Sequence, residues 1–172
     1  MSRPEAVTFK GAPLTLSGEE VQVGQAAPDF TLHYFEDGMH QITPADLRGK
    51  PTILSVVPSL DTPVCAIQTK KFNEMLGELG ERINAVTVSL DLPFAMNRFC
   101  GAEKITNIRS ASDYQDRSFG KNWGTLIEEL KILARSIFVL DKDGKVVYVE
   151  AVKEVAEEPN YDAALDALKS QL

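Results

Sequence analysis

The chain has 172 residues, of which 44% are hydrophobic and 25% are charged, and its formal net charge is -7. This size and composition predict one globular unit with a full-sized core. The negative charge argues against nucleic acids and anionic membranes as partners, because both bind clustered lysines and arginines. No apolar run approaches the roughly 20 residues that a membrane span requires.

The compartment and the metal content are also constrained by composition. The N-terminal sequence MSRPEAVTFK lacks the apolar core of a signal peptide, which predicts a cytoplasmic protein. Two cysteines and two histidines without the short spacing of zinc ligands predict neither a metal nor another cofactor. We expect no functional role for His33 or His40. The Asp-Lys-Asp-Gly run at 141–144 lacks the remaining ligands of a calcium loop and predicts a hairpin turn.

The first half of the chain combines short strands and turns with one long helix. Val7–Phe9 and Leu14–Leu16 predict a hairpin, because the Lys-Gly-Ala-Pro segment between them is a turn signal. The elements expected next are strands near Thr31–Tyr34 and Met39–Ile42, a short helix between Thr43 and Gly49, a strand over Thr52–Val57, and a helix from about Pro63.

The second half predicts a second strand-helix unit, a hairpin and a terminal helix. Its expected elements are a strand over Ile83–Leu90, a helix from Phe94 to about Cys100 that Asp91-Leu-Pro93 caps and Gly101 interrupts, a strand near Asn107–Arg109, a helix near Ser112–Phe119, a loop over Lys121–Ile132, a hairpin of Arg135–Leu140 and Lys145–Glu150, and a helix over Pro159–Leu172. This order predicts a thioredoxin-like α/β fold, with a central mixed sheet flanked by helices. Residues 23–172 form the predicted thioredoxin-like domain, and residues 1–22 are its N-terminal β-hairpin extension.

Cys65 is the strongest candidate for a reactive side chain. The buried-type strand sequence TILSVVP precedes it, and the amphipathic sequence VCAIQTKKFNEMLGEL contains it. This arrangement places the thiol in the first turn of a helix, at the carboxyl edge of the sheet. Unpaired N–H groups and the positive end of the helix dipole favour a thiolate there. The alternative is a buried structural cysteine.

Two neighbours of Cys65 point to peroxide chemistry. The Thr62 hydroxyl, three residues before the sulfur, can donate to a thiolate or to an incoming oxygen, and Pro58 can line a pocket without an N–H group. The spacing Pro-x-x-x-Thr-x-x-Cys matches the signature around the peroxidatic cysteine of peroxiredoxins. The segments SLDTPVCAIQTKKFNE, SLDLPFAMNRFCGAE and LARSIFVLD resemble those of bacterial thiol peroxidases, which are atypical two-cysteine peroxiredoxins. The resemblance extends from about Val7 to the end of the chain.

The resemblance assigns roles to two further residues. By sequence alone, Cys100 could be a structural disulfide partner, a free buried thiol or a resolving cysteine. Its segment NRFCGAE is similar to the resolving segment of thiol peroxidases, which implies the third role. Arg135 begins an apolar strand, where it could be a surface residue, but its segment resembles the one that carries the catalytic arginine. We expect the other candidate arginines to lie at the surface or in an interface: Arg82, Arg98 and Arg109.

The resemblance therefore implies a thiol-dependent peroxidase. It would reduce hydrogen peroxide and alkyl hydroperoxides to water or alcohols through a Cys65 sulfenic acid and an intramolecular Cys65–Cys100 disulfide. Thioredoxin is the implied reductant, and a homodimer is the implied assembly. A redox-sensing binding protein is the alternative, because it would share the first oxidation step. A thiol-disulfide oxidoreductase is disfavoured, because Thr62 replaces the first cysteine of Cys-x-x-Cys.

Overall fold

A seven-stranded mixed sheet organises the chain in the computed structural model, which describes residues 1–172. The strands are β1 (Ser2–Phe9), β2 (Ala12–Ser17), β3 (Leu32–Phe35), β4 (Met39–Ile42), β5 (Thr52–Val56), β6 (Asn84–Ser89), β7 (Arg109–Ser112), β8 (Ser136–Leu140) and β9 (Val146–Ala151). The helices are α1 (Pro63–Leu76), α2 (Pro93–Ala102), α3 (Ser118–Asn122) and α4 (Tyr161–Lys169), with 3-10 turns at Pro44–Leu47 and Gly80–Arg82. No helix combines the length and the apolar character needed to cross a membrane.

The strand order determines which residues meet at the functional edge. The large sheet has the order β4-β3-β7-β6-β5-β8-β9, in which β5, β6 and β7 are parallel and the outer strands are antiparallel. The carboxyl ends of the parallel strands therefore share one edge. Since Val56 pairs with Ser136, the antiparallel strand β8 begins at that same edge. The segment after β5 and the residue before β8 are thereby neighbours.

Helices cover both faces of the sheet, as the predicted fold class requires. On one face, Phe72 and Leu76 of α1 and Leu168 of α4 pack in a cluster with Ile53. On the other face, Leu54 packs in a cluster with aromatic side chains that include Trp123. Successive residues of β5 thus serve opposite cores, which is why all five of its residues are buried.

The N-terminal hairpin forms a sheet of its own and is fixed to the main unit. Its apolar residues pack against three residues from the far part of the chain: Ile127, Ala134 and Val155. Arg3 donates hydrogen bonds to the carbonyl oxygens of Gly18, at 2.9 Å, and Gly124. Gly124 has a φ of +65°, and a Cβ there would lie 2.3 Å from the Glu19 carbonyl oxygen, so no larger residue fits without a shift. The hairpin therefore buttresses the segment that leads into β8.

The predicted interruption of α2 at Gly101 is wrong. The helix runs through Gly101 to Ala102. A Cβ at this glycine would meet nothing within 4 Å, so the position faces open space and carries only the modest cost of glycine in a helix. The predicted cap is also different, because Leu92 is the N-cap residue and Asp91 binds elsewhere.

The next two elements lie further along the chain than the sequence predicts. Strand β7 begins at Arg109, because it pairs in register with β6 from that residue. The helix expected near Ser112–Phe119 is the shorter α3, and Ser112 belongs to β7. The Asp113 carboxylate accepts hydrogen bonds from the backbone N–H groups of Phe119 (2.9 Å) and Gly120 (2.8 Å). These contacts across a loop determine where α3 begins.

Asp113 makes the stability of this fold dependent on pH. Burial raises its pKa from 3.8 to about 6, although the Gly120 and Phe119 amides partly offset the shift. The folded protein therefore holds the proton more tightly than the unfolded chain. The resulting stability is fully present below pH 3.8 and is lost as the pH rises through about 6.

We expect the free energy of unfolding of the wild type, relative to that of Asp113→Asn, to fall between about pH 4 and about pH 7.5. Asparagine lacks the titrating proton, so the difference between the two proteins isolates Asp113. Urea denaturation at several pH values measures it. A difference that stays constant or grows with pH would contradict this assignment.

Candidate active site

Cys65 lies in the first turn of α1, as the sequence predicts. Thr62 is the N-cap residue and Pro63 opens the helix, where its fixed φ suits the first turn and its missing N–H costs nothing. The Cys65 side chain is completely buried. It packs with Leu60 from the preceding loop and with Met96 from α2. Two segments therefore close over the sulfur.

Arg135 supplies a buried cation beside the sulfur. Arg135 is 2% exposed, which rules out the alternative of a surface arginine. One terminal nitrogen, Nη2, donates to Cys65 Sγ at 3.4 Å, and Nε donates to the Val155 carbonyl oxygen at 3.0 Å. The pairing of β5 with β8 explains the contact, because it brings the residue before β8 beneath the start of α1. The guanidinium is thus held in a defined orientation.

Gln68 completes this arrangement, and the sequence analysis assigned it no role. Its Oε1 accepts from Arg135 Nη1 at 2.7 Å, while its Nε2 donates to the Ser55 hydroxyl at 2.8 Å. Gln68 follows Cys65 by three positions and therefore lies on the same face of α1. The signal available in the sequence is a glutamine within the buried stripe of the helix, where an amide needs partners.

Thr62 and Pro58 occupy different environments. The Thr62 side chain is exposed, and its hydroxyl donates to the Ser59 carbonyl oxygen at 2.9 Å. The structure therefore does not bring this hydroxyl to the sulfur, because it closes the turn before α1. Pro58 is buried, two residues after the end of β5. It lies at the sheet edge from which the Cys65 loop departs.

Asp91 joins the loop before Cys65 to the start of α2. Its carboxylate accepts from the Ser59 hydroxyl (2.7 Å), the Leu60 backbone N–H (2.8 Å) and the Ser89 hydroxyl (2.7 Å). Hydrogen bonds to an ionised acceptor are among the stronger ones in proteins. Asp91, which the sequence predicts as a helix cap, therefore links the loop between β5 and α1 to the loop between β6 and α2, at the carboxyl edge of the sheet.

Cys100 lies near the other end of α2 and has its own partner. Its sulfur is 3.3 Å from the Ser110 hydroxyl oxygen. Burial raises the pKa of the Cys100 thiol, and the hydrogen bond with Ser110 partly offsets that effect. Cys100 also lines an open cavity of about 670 Å³ that extends to Tyr34. Both cysteines are free thiols, so the structure shows the unbridged form.

The remaining candidate residues are at the surface or on other strands. The side chains of Arg82 and Arg98 are exposed, as predicted. Arg109 is also exposed, pairs with Glu36 at 2.7 Å and lies over the Tyr34 ring. His40 belongs to β4, an edge strand of the large sheet, and His33 belongs to the neighbouring strand β3.

Comparison with known proteins agrees with this geometry. The Redoxin family profile matches residues 22–165. The chain belongs to the Redoxin family. Thiol peroxidase from Bacillus subtilis (strain 168) is 50% identical over 164 residues, which cover 95% of this chain and 96% of that protein. Thiol peroxidase from Staphylococcus aureus (strain MRSA252) is 47% identical, with 95% and 98% covered.

Solved structures confirm the thioredoxin-like peroxiredoxin fold. A peroxiredoxin-like protein from Aquifex aeolicus superposes with a TM-score of 0.90 at 41% identity, over 98% of both chains. Thiol peroxidase from Chromobacterium violaceum gives 0.81 at 20% identity over 95% of both chains, a likeness in fold alone. The predicted resemblance and the predicted enzyme class are therefore confirmed: this Redoxin member is a peroxiredoxin-type, thiol-dependent peroxidase. Peroxidase activity implies a peroxide substrate.

Gln68→Ala should lower the free energy of unfolding by about 2–4 kcal/mol. The substitution leaves the buried Arg135 Nη1 donor without its acceptor and the buried Ser55 hydroxyl oxygen without its donor, and it creates a cavity. Urea denaturation measures the loss. Glu74→Ala, on the exposed face of the same helix, is the matched control and should change stability by less than about 0.5 kcal/mol. Equal losses in the two variants would contradict the positioning role of Gln68.

Proposed function

We propose that Cys65 is the nucleophile of this peroxidase. The contact between its sulfur and the Arg135 guanidinium, at 3.4 Å, is the observation that carries the proposal. A buried cation is stabilised by a negative partner, and the other two acceptors of its hydrogen bonds, the Val155 carbonyl and the Gln68 amide, are uncharged. The thiolate of Cys65 would provide that charge. The start of α1 adds the positive end of a helix dipole.

In the first step the Cys65 thiolate attacks one oxygen of the peroxide. A sulfur–oxygen bond forms and the oxygen–oxygen bond breaks, which yields a Cys65 sulfenic acid and, after protonation, water or an alcohol. Arg135 has a donor at the sulfur and can also bind the departing oxygen, whose negative charge grows as the bond breaks. Hydrogen peroxide and alkyl hydroperoxides are the proposed substrates.

Thr62 and Pro58 are proposed to shape the peroxide site. A peroxide can reach the buried sulfur through a shift of Thr62 at the start of α1, without release of the loop contacts that Asp91 makes to Ser59 and Leu60. Such a shift would free the Thr62 hydroxyl from the Ser59 carbonyl. The hydroxyl could then donate to the peroxide, while Pro58 presents a wall without an N–H group.

Cys100 is proposed to resolve the sulfenic acid. Its thiol would condense with Cys65 to form an intramolecular disulfide and water. The Cys65 sulfur faces Arg135 and the Cys100 sulfur faces Ser110, so each must leave its partner first. Local unwinding of α2 and of the first turn of α1 would bring the two cysteines to the roughly 4.4–6.8 Å Cα separation of a disulfide.

Recycling is proposed to use thioredoxin, whose dithiol would reduce the disulfide by exchange. A homodimer is proposed as the assembly. Two side chains at the start of α2 support it, since Leu92 is 52% exposed and Phe94 is 59% exposed, and a second copy would bury them. The cytoplasm is the proposed compartment, because its reducing environment suits a disulfide that forms only transiently during turnover.

Cys65→Ser should abolish peroxide consumption while the protein stays folded, because a hydroxyl is a far weaker nucleophile than a thiolate. Peroxide consumption with thioredoxin and its reductase measures the activity, and circular dichroism checks the fold. In the wild type, consumption well beyond the protein concentration would separate an enzyme from a redox sensor. Substantial turnover by the variant would refute Cys65 as the nucleophile.

Cys100→Ser should consume about one peroxide per chain and then lose efficient recycling by thioredoxin, because no second thiol is present in the chain to form the intramolecular disulfide. Mass spectrometry of the oxidised wild type should find Cys65 joined to Cys100 within one chain. A bond found only between two chains would rule out the single-chain mechanism.

A further inference from the structure

Asp91 connects the two segments that the proposed disulfide must rearrange. It follows β6 and lies two residues before α2, the helix that carries Cys100. Its carboxylate holds Ser59 and Leu60, in the loop that leads to Cys65. One side chain therefore ties the segment of one cysteine to the segment of the other.

The contacts show what this tie holds in place. The backbone N–H of Leu60 is 2.8 Å from Asp91 Oδ2, and the Leu60 side chain packs with Cys65. Met96, one turn into α2, packs in the same cluster. With Asp91 bound, both apolar side chains stay over the sulfur. Releasing the carboxylate frees the loop and the start of α2 together.

We propose that Asp91 is a positioning residue that sets the rate at which the oxidised Cys65 reaches Cys100. This inference rests on the proposed function of the two cysteines. Asp91 keeps the loop and α2 in the closed arrangement that surrounds Cys65 with Arg135 and apolar side chains. The closed arrangement must open before the disulfide forms, and the hydrogen bonds that Asp91 accepts from Ser59 and Leu60 oppose that opening. The hydrogen bond from Ser89 orients the carboxylate within its own loop.

The opening rate decides between two fates of the sulfenic acid. In the open form, the Cys100 sulfur bonds to Cys65, the sulfur–oxygen bond breaks, and the hydroxyl leaves as water with the Cys100 proton. In the closed form, a second peroxide transfers an oxygen to the Cys65 sulfur, which gives a sulfinic acid and releases water or an alcohol. A tighter hold by Asp91 favours the sulfinic acid at high peroxide concentration.

The test compares wild type with Asp91→Asn. Asparagine keeps one acceptor oxygen, but its NH₂ group is a donor and would face the donor groups from which the carboxylate accepts hydrogen bonds, on Ser59, Leu60 and Ser89. We expect the disulfide to form roughly 5- to 20-fold faster in Asp91→Asn than in wild type after one equivalent of hydrogen peroxide is added. Rapid alkylation of the remaining thiols at successive times, followed by mass spectrometry, measures this rate. The peroxide concentration that converts half of Cys65 to sulfinic acid during turnover with dithiothreitol should rise by a similar factor.

Two further variants separate a specific effect from a general loss of stability. Asp141→Asn also removes a carboxylate that binds backbone N–H groups, but in the β8–β9 turn at the opposite edge of the sheet. This variant should leave the rate of disulfide formation, and the peroxide concentration that half-converts Cys65 to sulfinic acid, within about twofold of the wild-type values. Ser59→Ala deletes one of the three groups that donate to Asp91, so it should raise the same rate and the same peroxide concentration by a smaller factor. This variant tests the proposal even if Asp91→Asn does not fold.

The outcomes distinguish the two proposals. If the wild type forms the Cys65–Cys100 disulfide and Asp91→Asn and Ser59→Ala form it at the wild-type rate or more slowly, the role of Asp91 is refuted and the proposed function stands. Equal acceleration in Asp141→Asn would also refute it. If the wild type never forms this disulfide, both proposals fall. Faster amide exchange in α2 of reduced Asp91→Asn would support the inference.

Discussion

The buried guanidinium of Arg135 is the constraint to which the rest of the site is fitted. A charge that is 2% exposed requires a full set of acceptors, and three parts of the chain provide them: Val155, Gln68 and Cys65. The hairpin reinforces this region, because it packs in a cluster with Ala134, the residue before the arginine, and with Val155, whose carbonyl oxygen accepts from the arginine. Fold and reactivity are therefore coupled through one side chain.

The sheet explains why these groups converge. Three parallel strands end at one edge, and the antiparallel strand β8 starts there, so the first turn of α1, the Asp91 loop and Arg135 all meet at that edge. Cys100 is carried away from the edge by α2 and lies beside Ser110. The same topology that brings Cys65 to Arg135 thus places Cys100 beside a different partner, and the disulfide that we propose would require local unwinding.

Local signals were sufficient for most of the fold and for the position of Cys65 in the first turn of α1. The hairpins, β5, α1 and α4 follow from turn residues, apolar periodicity and the Thr62-Pro63 helix start, each of which acts within a few residues. The segment around α3 was predicted less well, because its start depends on the Asp113 carboxylate binding amides six and seven residues away. No periodic pattern records such a contact.

The sequence by itself determined the α/β architecture, the position of Cys65 in the first turn of a helix, and a family resemblance that points to Cys100 and Arg135. Only the tertiary structure decided that Arg135 is buried against the sulfur, that Gln68 orients it and that Asp91 ties the two cysteine segments. It also placed the Thr62 hydroxyl on the Ser59 carbonyl instead of on the sulfur. The physical reason is that hydrogen-bond partners of buried polar groups come from distant parts of the chain, and their choice follows from strand pairing and helix packing.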